Sequence, residues 1–219
     1  MKLSKKDEAI ERFLKQLDDM FVRQQSHNVH VHPQWEQQNY PFCRAIWMEC
    51  AELIEHYGWK WWKQQQRDDY QVYLEIVDIW HFGLSYLMVR GEDRKVIAKQ
   101  LTDVLEDGED VSFIENVENL ARFALEGSFD IRAFARVLSS ANLSLDLLYA
   151  LYIGKNTLNV FRQLNGYKDG SYEKLWDGKK EDNQFLVEIL MSMETQGLLS
   201  DKAILRALAE RYPKNAKIE

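Results

Sequence analysis

Two stretches of this chain decide its fold: residues 42–57 read FCRAIWMECAELIEHY, and residues 72–89 read VYLEIVDIWHFGLSYLMV. Both stretches are largely apolar, and each carries a pair of acids in the pattern acid-x-x-acid. The pairs are Glu49 with Glu52 and Glu75 with Asp78. Because residues i and i+3 of an α-helix lie on one face, each stretch predicts a helix that presents two carboxylates in one direction.

Helical periodicity extends over most of the remaining chain, whereas strand alternation and Asn-Gly hairpin signals are nearly absent. The three prolines and ten glycines cluster at plausible helix ends. We therefore predict an all-α fold, a multi-helix bundle that forms one domain over residues 1–219. The expected helices are about Ser4–Gln25, Pro41–Tyr57, Val72–Val89, Asp93–Leu105, Ser112–Leu125, Asp130–Ser139, Ser144–Leu164, Asp182–Met193 and Asp201–Arg211.

One segment of this bundle has a candidate hinge. The stretch Glu106–Asp110 is acidic and contains Gly108, so it is either an ordinary surface turn or a hinge. In the second case the helical segment around residues 106–143 would be mobile. The chain shows no internal repeat of fixed period and no low-complexity segment that would mark another boundary.

The four acids of the two stretches predict a metal site. Unpaired carboxylates in apolar surroundings are costly, and they tend to take up protons or bind cations. Four of them from neighbouring helices form a set of hard oxygen ligands suited to Mg²⁺ or Mn²⁺. Two solvated acidic faces are the simpler alternative. A di-iron site is another, although that design uses Glu-x-x-His, and here only His81, three residues beyond Asp78, offers a histidine.

A second polar pattern lies on the long helix expected in the C-terminal half. Lys155, Asn159 and Arg162 follow i, i+4, i+7 spacing and share one face. The turn that follows adds Tyr167 and Lys168. Cations with amide and phenol donors can bind phosphate oxygens. A solvated basic face fits these residues equally well, but an acidic metal site in the same chain favours a metal–polyphosphate site.

The segment Trp59-Lys-Trp-Trp-Lys63 concentrates three tryptophans. Clustered Trp residues pack in cores or at interfaces, and they can also stack on nucleobases; the sequence leaves these alternatives open. His27, His30 and His32 could form a metal patch, but the Cys/His spacing of zinc sites is absent. A solvated loop is the favoured interpretation of these histidines.

The net charge of −7 argues against a general nucleic-acid binder, which carries a basic face. A small anionic ligand is compatible with this charge when divalent cations lie between it and the carboxylates. No uninterrupted apolar run reaches the roughly 18–20 residues of a membrane-spanning helix, and the N-terminus turns acidic where a signal peptide would be apolar. We therefore expect a cytoplasmic protein without a membrane or nucleic-acid partner.

The spacing of the two acid pairs resembles the metal-binding signature of the all-α NTP pyrophosphatases, the MazG-like superfamily. Five segments look like the motif series of the dimeric dUTPases within it, and the resemblance runs from about residue 10 to 185. The segments are Glu49-Cys-Ala-Glu-Leu-Ile, Trp59-Lys-Trp-Trp-Lys, Glu75-Ile-Val-Asp-Ile-Trp-His-Phe, Gly154-Lys-Asn-x-Leu-Asn-x-Phe-Arg-x-x-Asn-Gly-Tyr-Lys-x-Gly-x-Tyr172 and Glu181-Asp182-Asn183.

The resemblance implies a homodimer that hydrolyses dUTP to dUMP and pyrophosphate, with dUDP as a further substrate. It implies two or more Mg²⁺ ions per site, with Mn²⁺ as a substitute, at the acids Glu49, Glu52, Glu75 and Asp78. Glu49 is the expected base for the attacking water. The implied phosphate ligands are Lys155, Asn159, Arg162, Tyr167, Lys168 and Asn183. The implied base and sugar contacts are Gln16, Trp61, His81 and Phe82.

One departure from the family pattern concerns the nucleobase. Family members often carry Leu-Asn after the segment that contains Gln16, whereas this chain has Leu17-Asp18-Asp19, and dimeric relatives differ in their tolerance of dCTP. Two alternatives stay open. One is a related NTP pyrophosphatase acting on dCTP or another nucleotide, and the other is a non-catalytic helical protein that uses its Trp segment as a partner surface.

Overall fold

The computed structural model describes residues 4–107, 112–194 and 200–218. Nine α-helices and one short antiparallel strand pair make up the regular structure of these residues, with a 3₁₀ turn at Trp35–Gln37. The all-α prediction is confirmed. The helices are α1 (Lys5–Val31), α2 (Phe42–Tyr57), α3 (Asp69–Arg90), α4 (Arg94–Asp107), α5 (Phe113–Leu125), α6 (Ile131–Ser140), α7 (Leu145–Leu164), α8 (Asp182–Glu194) and α9 (Asp201–Arg211), and the strands are β1 (Leu175–Trp176) and β2 (Lys180–Glu181).

The chain forms two compact units, Met1–Tyr149 and Ala150–Glu219. The first unit contains helices α1 to α6 and the first turn of α7. The second contains the rest of α7, both strands, α8 and α9. The candidate hinge at Glu106–Asp110 lies mostly outside the described residues.

Helix α3 is the centre of the first unit, and α1 and α2 both pack against it. Its side chains are buried around almost the whole circumference, and the Trp80 ring stacks on Phe134 of α6 with centroids 5.0 Å apart. By length and composition α3 could cross a membrane, but 67% of its most apolar window is buried inside the unit. Burial of this kind is what a core helix of a helical bundle shows.

Several helix ends follow the expected capping chemistry. Ser4 caps α1 as predicted and forms a reciprocal capping box with Asp7. Helix α3 begins three residues before the predicted start, because the Asp68 side chain accepts from the backbone N–H of Gln71. It ends at Gly91, whose φ of 67° is the left-handed conformation that glycine adopts without strain.

Helix α1 continues six residues beyond Gln25, where the apolar pattern ends. The extra turns are held by buried polar side chains instead of apolar ones. Gln24 and Asn28 are 3% and 8% exposed, and both donate hydrogen bonds to the Ser85 hydroxyl on α3. Hydrophobic periodicity cannot detect a helix face of this kind, so the predicted end was too early.

The second unit is built around the aromatic rings of Phe161, Trp176 and Tyr212, which make edge-to-face contacts with centroids 5.3–6.1 Å apart. Strand β1 pairs with β2 around Asp177-Gly178, and both of these residues have positive φ. Asp-Gly is a hairpin signal, but with only two paired residues per strand it was too weak to predict a hairpin.

Gly83 on α3 allows the ring of Phe129 to approach the helix backbone. A Cβ atom at residue 83 would lie 2.6 Å from Phe129 Cε1. The overpacking cost of about 1–3 kcal/mol should outweigh the gain of about 1 kcal/mol that alanine brings inside a helix. We therefore expect Gly83→Ala to lower the free energy of unfolding, measured by urea denaturation.

The double variant Gly83→Ala/Phe129→Leu is the control for this prediction. Because leucine removes the ring that the new methyl group meets, the double variant should lose less stability than the sum of the two single variants. Additive losses, or a more stable Gly83→Ala protein, would contradict the packing argument.

Candidate active site

The acid pairs of α2 and α3 meet in space. Glu49, Glu52 and Glu75 each place one carboxylate oxygen so that all three lie within 4.8 Å of one another. These three residues, together with Asp78, are called the acidic cluster below. Glu75 is buried, Glu49 is half-buried and Glu52 is exposed. The cluster therefore runs from the core of the first unit to its surface, whereas the sequence suggested that all four acids point inward.

The acidic cluster changes the protonation of Glu49. Burial, and after it the charges of Asp78, Glu75 and Glu52, together raise the pKa of Glu49 from its ordinary 4.5 to about 9. A hydrogen bond with Glu75 contributes as well. Among these carboxylates the charge of Asp78 has the largest effect on the pKa of Glu49.

Three converging oxygens and a carboxyl group that resists ionisation fit a site for a divalent cation. A cation removes the repulsion that raises the pKa of Glu49, and oxygen ligands of this type suit Mg²⁺ or Mn²⁺. His81, the histidine of the di-iron alternative, contacts the side chain of Gln24 through Nδ1, so only its Nε2 could bind a metal. The residues present therefore fit a hard divalent ion.

His56 is part of this region and was missed by the sequence analysis. Its Nε2 lies 3.6 Å from Oε1 of Glu75. A signal was available, because Glu49, Glu52 and His56 follow the i, i+3, i+7 spacing of one helix face. His56 holds the buried Glu75 carboxylate from the C-terminal end of α2.

A buried hydrogen-bond network orients His81. The Ser85 hydroxyl donates to the backbone carbonyl of His81 and accepts from the amides of Gln24 and Asn28. Gln24 Nε2 also donates to Asn28 Oδ1, which leaves Gln24 Oε1 facing His81 Nδ1 at 2.7 Å. If the side-chain amides of Gln24 and Asn28 were both rotated by 180°, their oxygens would face the Ser85 hydroxyl. They would then compete with the backbone carbonyl of His81 for the single hydroxyl proton. Nδ1 of His81 therefore carries a proton and donates to Gln24 Oε1, and in the neutral imidazole Nε2 is an acceptor.

The other residues expected near the nucleoside also belong to the first unit. Gln16 on α1 donates from Nε2 to Asp146 Oδ1 at 2.9 Å, and Phe82 on α3 is half-buried. Trp61 is 89% exposed and makes an edge contact with Trp62, their centroids 5.5 Å apart. Its exposure excludes core packing for Trp61 and leaves a partner surface or a base-stacking surface.

Asp19, the second acid of the Leu17-Asp18-Asp19 segment that departs from the family pattern, is neutralised within the first unit. Its Oδ2 accepts from Nε of Arg23 at 2.7 Å and from the Tyr149 hydroxyl at 2.8 Å. The acidic side chain is therefore compensated by groups one turn away and on the first turn of α7.

The polar residues of the second unit form a separate, largely buried cluster. Asp182 is fully buried and forms a two-point ion pair with Arg162, with both N–O distances at 2.7 Å. Lys155 is 2% exposed and donates to Asn183 Oδ1 at 2.9 Å. Arg162 also donates to the side-chain oxygens of Asn159 and Asn183 at 3.2 Å. This basic cluster thus brings together four of the six expected phosphate ligands.

The remaining two expected ligands lie in the exposed turn after α7. Tyr167 has its ring centroid 5.9 Å from the Arg162 guanidinium carbon, and Lys168 follows it on the surface. Two partners of the cluster were not predicted: Asp182, and Tyr172, whose hydroxyl donates to Asp182 Oδ2 at 2.8 Å. Burial acts to raise the pKa of Asp182, but the hydrogen bond and charge of Arg162 outweigh it and hold that pKa below its usual value.

A comparison with protein families identifies the chain. The family model described as dUTPase matches residues 16–167, which is more than half of the sequence. The chain belongs to the all-α dUTPase family. No curated protein sequence matches it at the level of significance applied.

The dUTPase match begins at Gln16 and ends at Tyr167, so it contains the whole acidic cluster and the part of the basic cluster carried by α7. Asn183 and Asp182 lie beyond its end. Enzymes of the dUTPase family generally use a divalent metal, and the carboxylates of Glu49, Glu52 and Glu75 are a chemically suitable place for one. The family identity therefore agrees with the chemistry of the acidic cluster.

The raised pKa of Glu49 predicts a pH-dependent stability. Between its ordinary pKa of 4.5 and the folded value of about 9, the unfolded chain has released the Glu49 proton while the folded chain retains it. Stability should therefore fall as pH rises through this window. In EDTA, the melting temperature of the wild type should drop more between pH 5 and 9 than that of Glu49→Gln, which stays neutral.

The matched control is Glu118→Gln, which removes an exposed carboxylate on α5. This variant should follow the wild-type pH dependence. Added Mg²⁺ at pH 8 should raise the melting temperature of the wild type and of Glu118→Gln more than that of Glu49→Gln. Identical pH profiles for all three proteins would contradict the assigned repulsion.

Proposed function

We propose that this chain hydrolyses dUTP to dUMP and pyrophosphate in a Mg²⁺-dependent reaction, with two or more ions per site and Mn²⁺ as a substitute. The observation that carries the proposal is the acidic cluster, in which the carboxylate oxygens of three residues lie within 4.8 Å of one another in a chain of the dUTPase family. Burial and the charges of Asp78, Glu75 and Glu52 all raise the pKa of Glu49, and a bound divalent cation would offset this effect.

In the proposed reaction a water oxygen attacks the α or the β phosphorus. As it bonds to that phosphorus, the bond from the same phosphorus to the α,β-bridging oxygen breaks, which gives dUMP and pyrophosphate. Glu49 accepts a proton from the attacking water as general base. Bound divalent ions would polarise the phosphate oxygens, lower the pKa of the water and neutralise the surrounding carboxylates. Under these conditions the pKa of Glu49 falls from its high metal-free value towards a range suited to proton transfer. Glu52, Glu75 and Asp78, together with Glu49, are proposed to hold the metal.

The basic cluster is proposed to bind phosphate oxygens through Lys155, Asn159, Arg162 and Asn183, assisted by Tyr167 and Lys168. Ammonium, guanidinium and amide donors are the groups that recognise phosphate. Asp182 holds the Arg162 fork at two points, so Arg162 presents its remaining edge in a fixed orientation. A variant without the Arg162 side chain would leave the buried Asp182 carboxylate without its ion-pair partner, which is strongly destabilising. Lys155 is therefore the better residue for testing phosphate binding.

The nucleoside is proposed to contact Gln16, Trp61, His81 and Phe82. In His81 the acceptor nitrogen Nε2 suits a hydroxyl or N–H donor of the nucleoside, and exposed Trp61 offers a ring face for stacking. The enzyme is further proposed to act as a cytoplasmic homodimer, to accept dUDP, and to need no membrane or nucleic-acid partner.

A second candidate substrate is dCTP, and the observation that favours it is the acidic segment Leu17-Asp18-Asp19, where family members often have Leu-Asn. The Asp18 carboxylate accepts a hydrogen bond from Arg94, and the Asp19 carboxylate accepts from Arg23 and Tyr149. A pocket that has lost an amide could tolerate a different base edge. Hydrolysis of a panel of dUTP, dCTP, dTTP, UTP and dUDP, with and without EDTA, ranks the candidates. Failure to cleave any of them would favour a non-catalytic interaction protein.

We predict that Glu49→Gln lowers kcat for dUTP by about 100- to 10,000-fold, the usual contribution of a general base. The far-ultraviolet circular dichroism spectrum should be unchanged, because glutamine is nearly isosteric. Release of pyrophosphate is the measurement, and Glu118→Gln serves as the control with the same charge change at an exposed position. Activity of Glu49→Gln within threefold of wild type would refute the base assignment.

We also predict that Lys155→Met weakens binding of α,β-imido-dUTP by about tenfold or more, since a hydrogen bond to a charged group contributes about 1.5–3 kcal/mol. Binding of deoxyuridine, which has no phosphate, should be unchanged. Isothermal titration calorimetry in Mg²⁺ measures both. Lys202→Met, which removes an exposed lysine on α9, is the matched control. Equal losses for analogue and nucleoside would indicate a folding defect instead of a lost phosphate contact.

A further inference from the structure

Gln16 is held by an ion pair at the start of α7. Its Nε2 donates to Asp146 Oδ1 at 2.9 Å. The other oxygen of the same carboxylate, Oδ2, lies 3.1 Å from Nη2 of Arg12, one helical turn before Gln16 on α1. All three residues belong to the first unit. Asp146 therefore links the two α1 side chains and has a distinct partner for each oxygen.

This arrangement fixes which way the Gln16 amide points. An ionised carboxylate only accepts hydrogen bonds, whereas an amide offers a donor on one side and an acceptor on the other. If the amide were turned over, Gln16 Oε1 would face Asp146 Oδ1, and two acceptors would repel each other. Arg12 pairs with the other oxygen of Asp146. The nitrogen of Gln16 therefore faces Asp146, and the oxygen faces away from it.

The oxygen that faces away has no hydrogen bond within the described part of the chain, although the atom is shielded from solvent. A buried acceptor without a donor is costly, and such groups in native proteins usually have a partner from water or a ligand. Gln16 Oε1 is therefore suited to receive an N–H or O–H group of a bound molecule. Its side chain is half-buried, so a ligand has access to this part of the unit.

We propose that Asp146, supported by Arg12, is a specificity-determining residue that locks Gln16 as an acceptor for the N3–H group of uracil. The inference rests on the proposed dUTP hydrolysis. Asp146 need not touch the nucleotide; it acts by positioning Gln16. Uracil carries its one ring N–H at N3, whereas N3 of cytosine carries a lone pair. A locked acceptor therefore accepts a hydrogen bond from uracil N3–H and repels the lone pair of cytosine N3.

The same chemistry separates two kinds of discrimination. Thymine keeps the N3–H of uracil and differs only by a methyl group at C5. The lock therefore acts between uracil and cytosine, but not between uracil and thymine. An amide free to turn would present its NH₂ group to cytosine N3 and its oxygen to uracil N3–H, and it would serve both bases.

The test is the variant Asp146→Asn, assayed for kcat/KM with dUTP, dCTP and dTTP. Asparagine can face Gln16 with either its oxygen or its nitrogen, so the Gln16 amide is no longer locked. We expect the dUTP/dCTP ratio of kcat/KM to fall by about tenfold, the scale of one hydrogen-bond mismatch, mainly through KM. The dUTP/dTTP ratio should stay within twofold of wild type.

Two variants complete the experiment. Asp146→Glu keeps an acceptor-only carboxylate and should retain most of the wild-type preference. Glu126→Gln removes a carboxylate at the end of α5, one that pairs with Arg122 at 2.9 Å and is comparably exposed. It has the same charge change without the lock and should leave both ratios unchanged. If Asp146→Asn folds poorly, Arg12→Met tests the same lock, because it removes the group that holds Asp146.

An Asp146→Asn enzyme that hydrolyses dUTP with the wild-type dUTP/dCTP ratio would overturn the inference. Parallel changes in the dCTP and dTTP ratios would overturn it too, because they would point to a general distortion of the pocket. A wild-type enzyme that releases no pyrophosphate from dUTP would instead refute the proposed function, so the two failures are distinguished by the wild-type assay alone.

Discussion

Mutual repulsion among the carboxylates of the acidic cluster is the constraint on which this structure depends. Helices α2 and α3 pack closely because their other side chains are apolar, and that packing forces Glu49, Glu52 and Glu75 together. The raised pKa of Glu49 reflects first its burial and then the charges of the neighbouring acids. The apolar core thus supplies the stability that holds the acids in an arrangement suited to a cation. At the interface of α2 and α3, the arrangement of acids suited to a cation therefore lowers the stability that the apolar packing provides.

Hydrogen-bond direction is the second organising constraint, because polar groups in this chain are oriented by partners that can play only one role. A backbone carbonyl can only accept, and through Ser85 and Gln24 it determines which nitrogen of His81 carries the proton. An ionised carboxylate can only accept as well, and Asp182 fixes the Arg162 guanidinium from two sides. Such fixed acceptors pre-organise neighbouring side chains, so a ligand meets groups whose orientation has already been set.

The sequence predicted the helices and the acidic cluster well because both follow from short-range periodicity. Glu49 and Glu52 had to share a face once α2 was recognised, and the apolar neighbours of Glu75 signalled its burial. Features that depend on partners distant in sequence were missed. Helix α1 extends past Gln25 because its polar face meets Ser85, 57 residues beyond Asn28, and Asp182 could be recognised as the partner of Arg162 only in three dimensions. Periodicity contains no information on these pairings.

The nearly continuous apolar surface of α3 has a consequence for how the chain is synthesised. A nascent segment of this length and composition satisfies the length and hydropathy requirements of a membrane-spanning helix, and it would also be a target for aggregation. Helices α1 and α2 precede α3 in the chain, so both leave the ribosome before it and are available to cover two of its sides at once. The order of the helices along the chain thus protects its most vulnerable segment during translation, before α5 and α6 complete the unit.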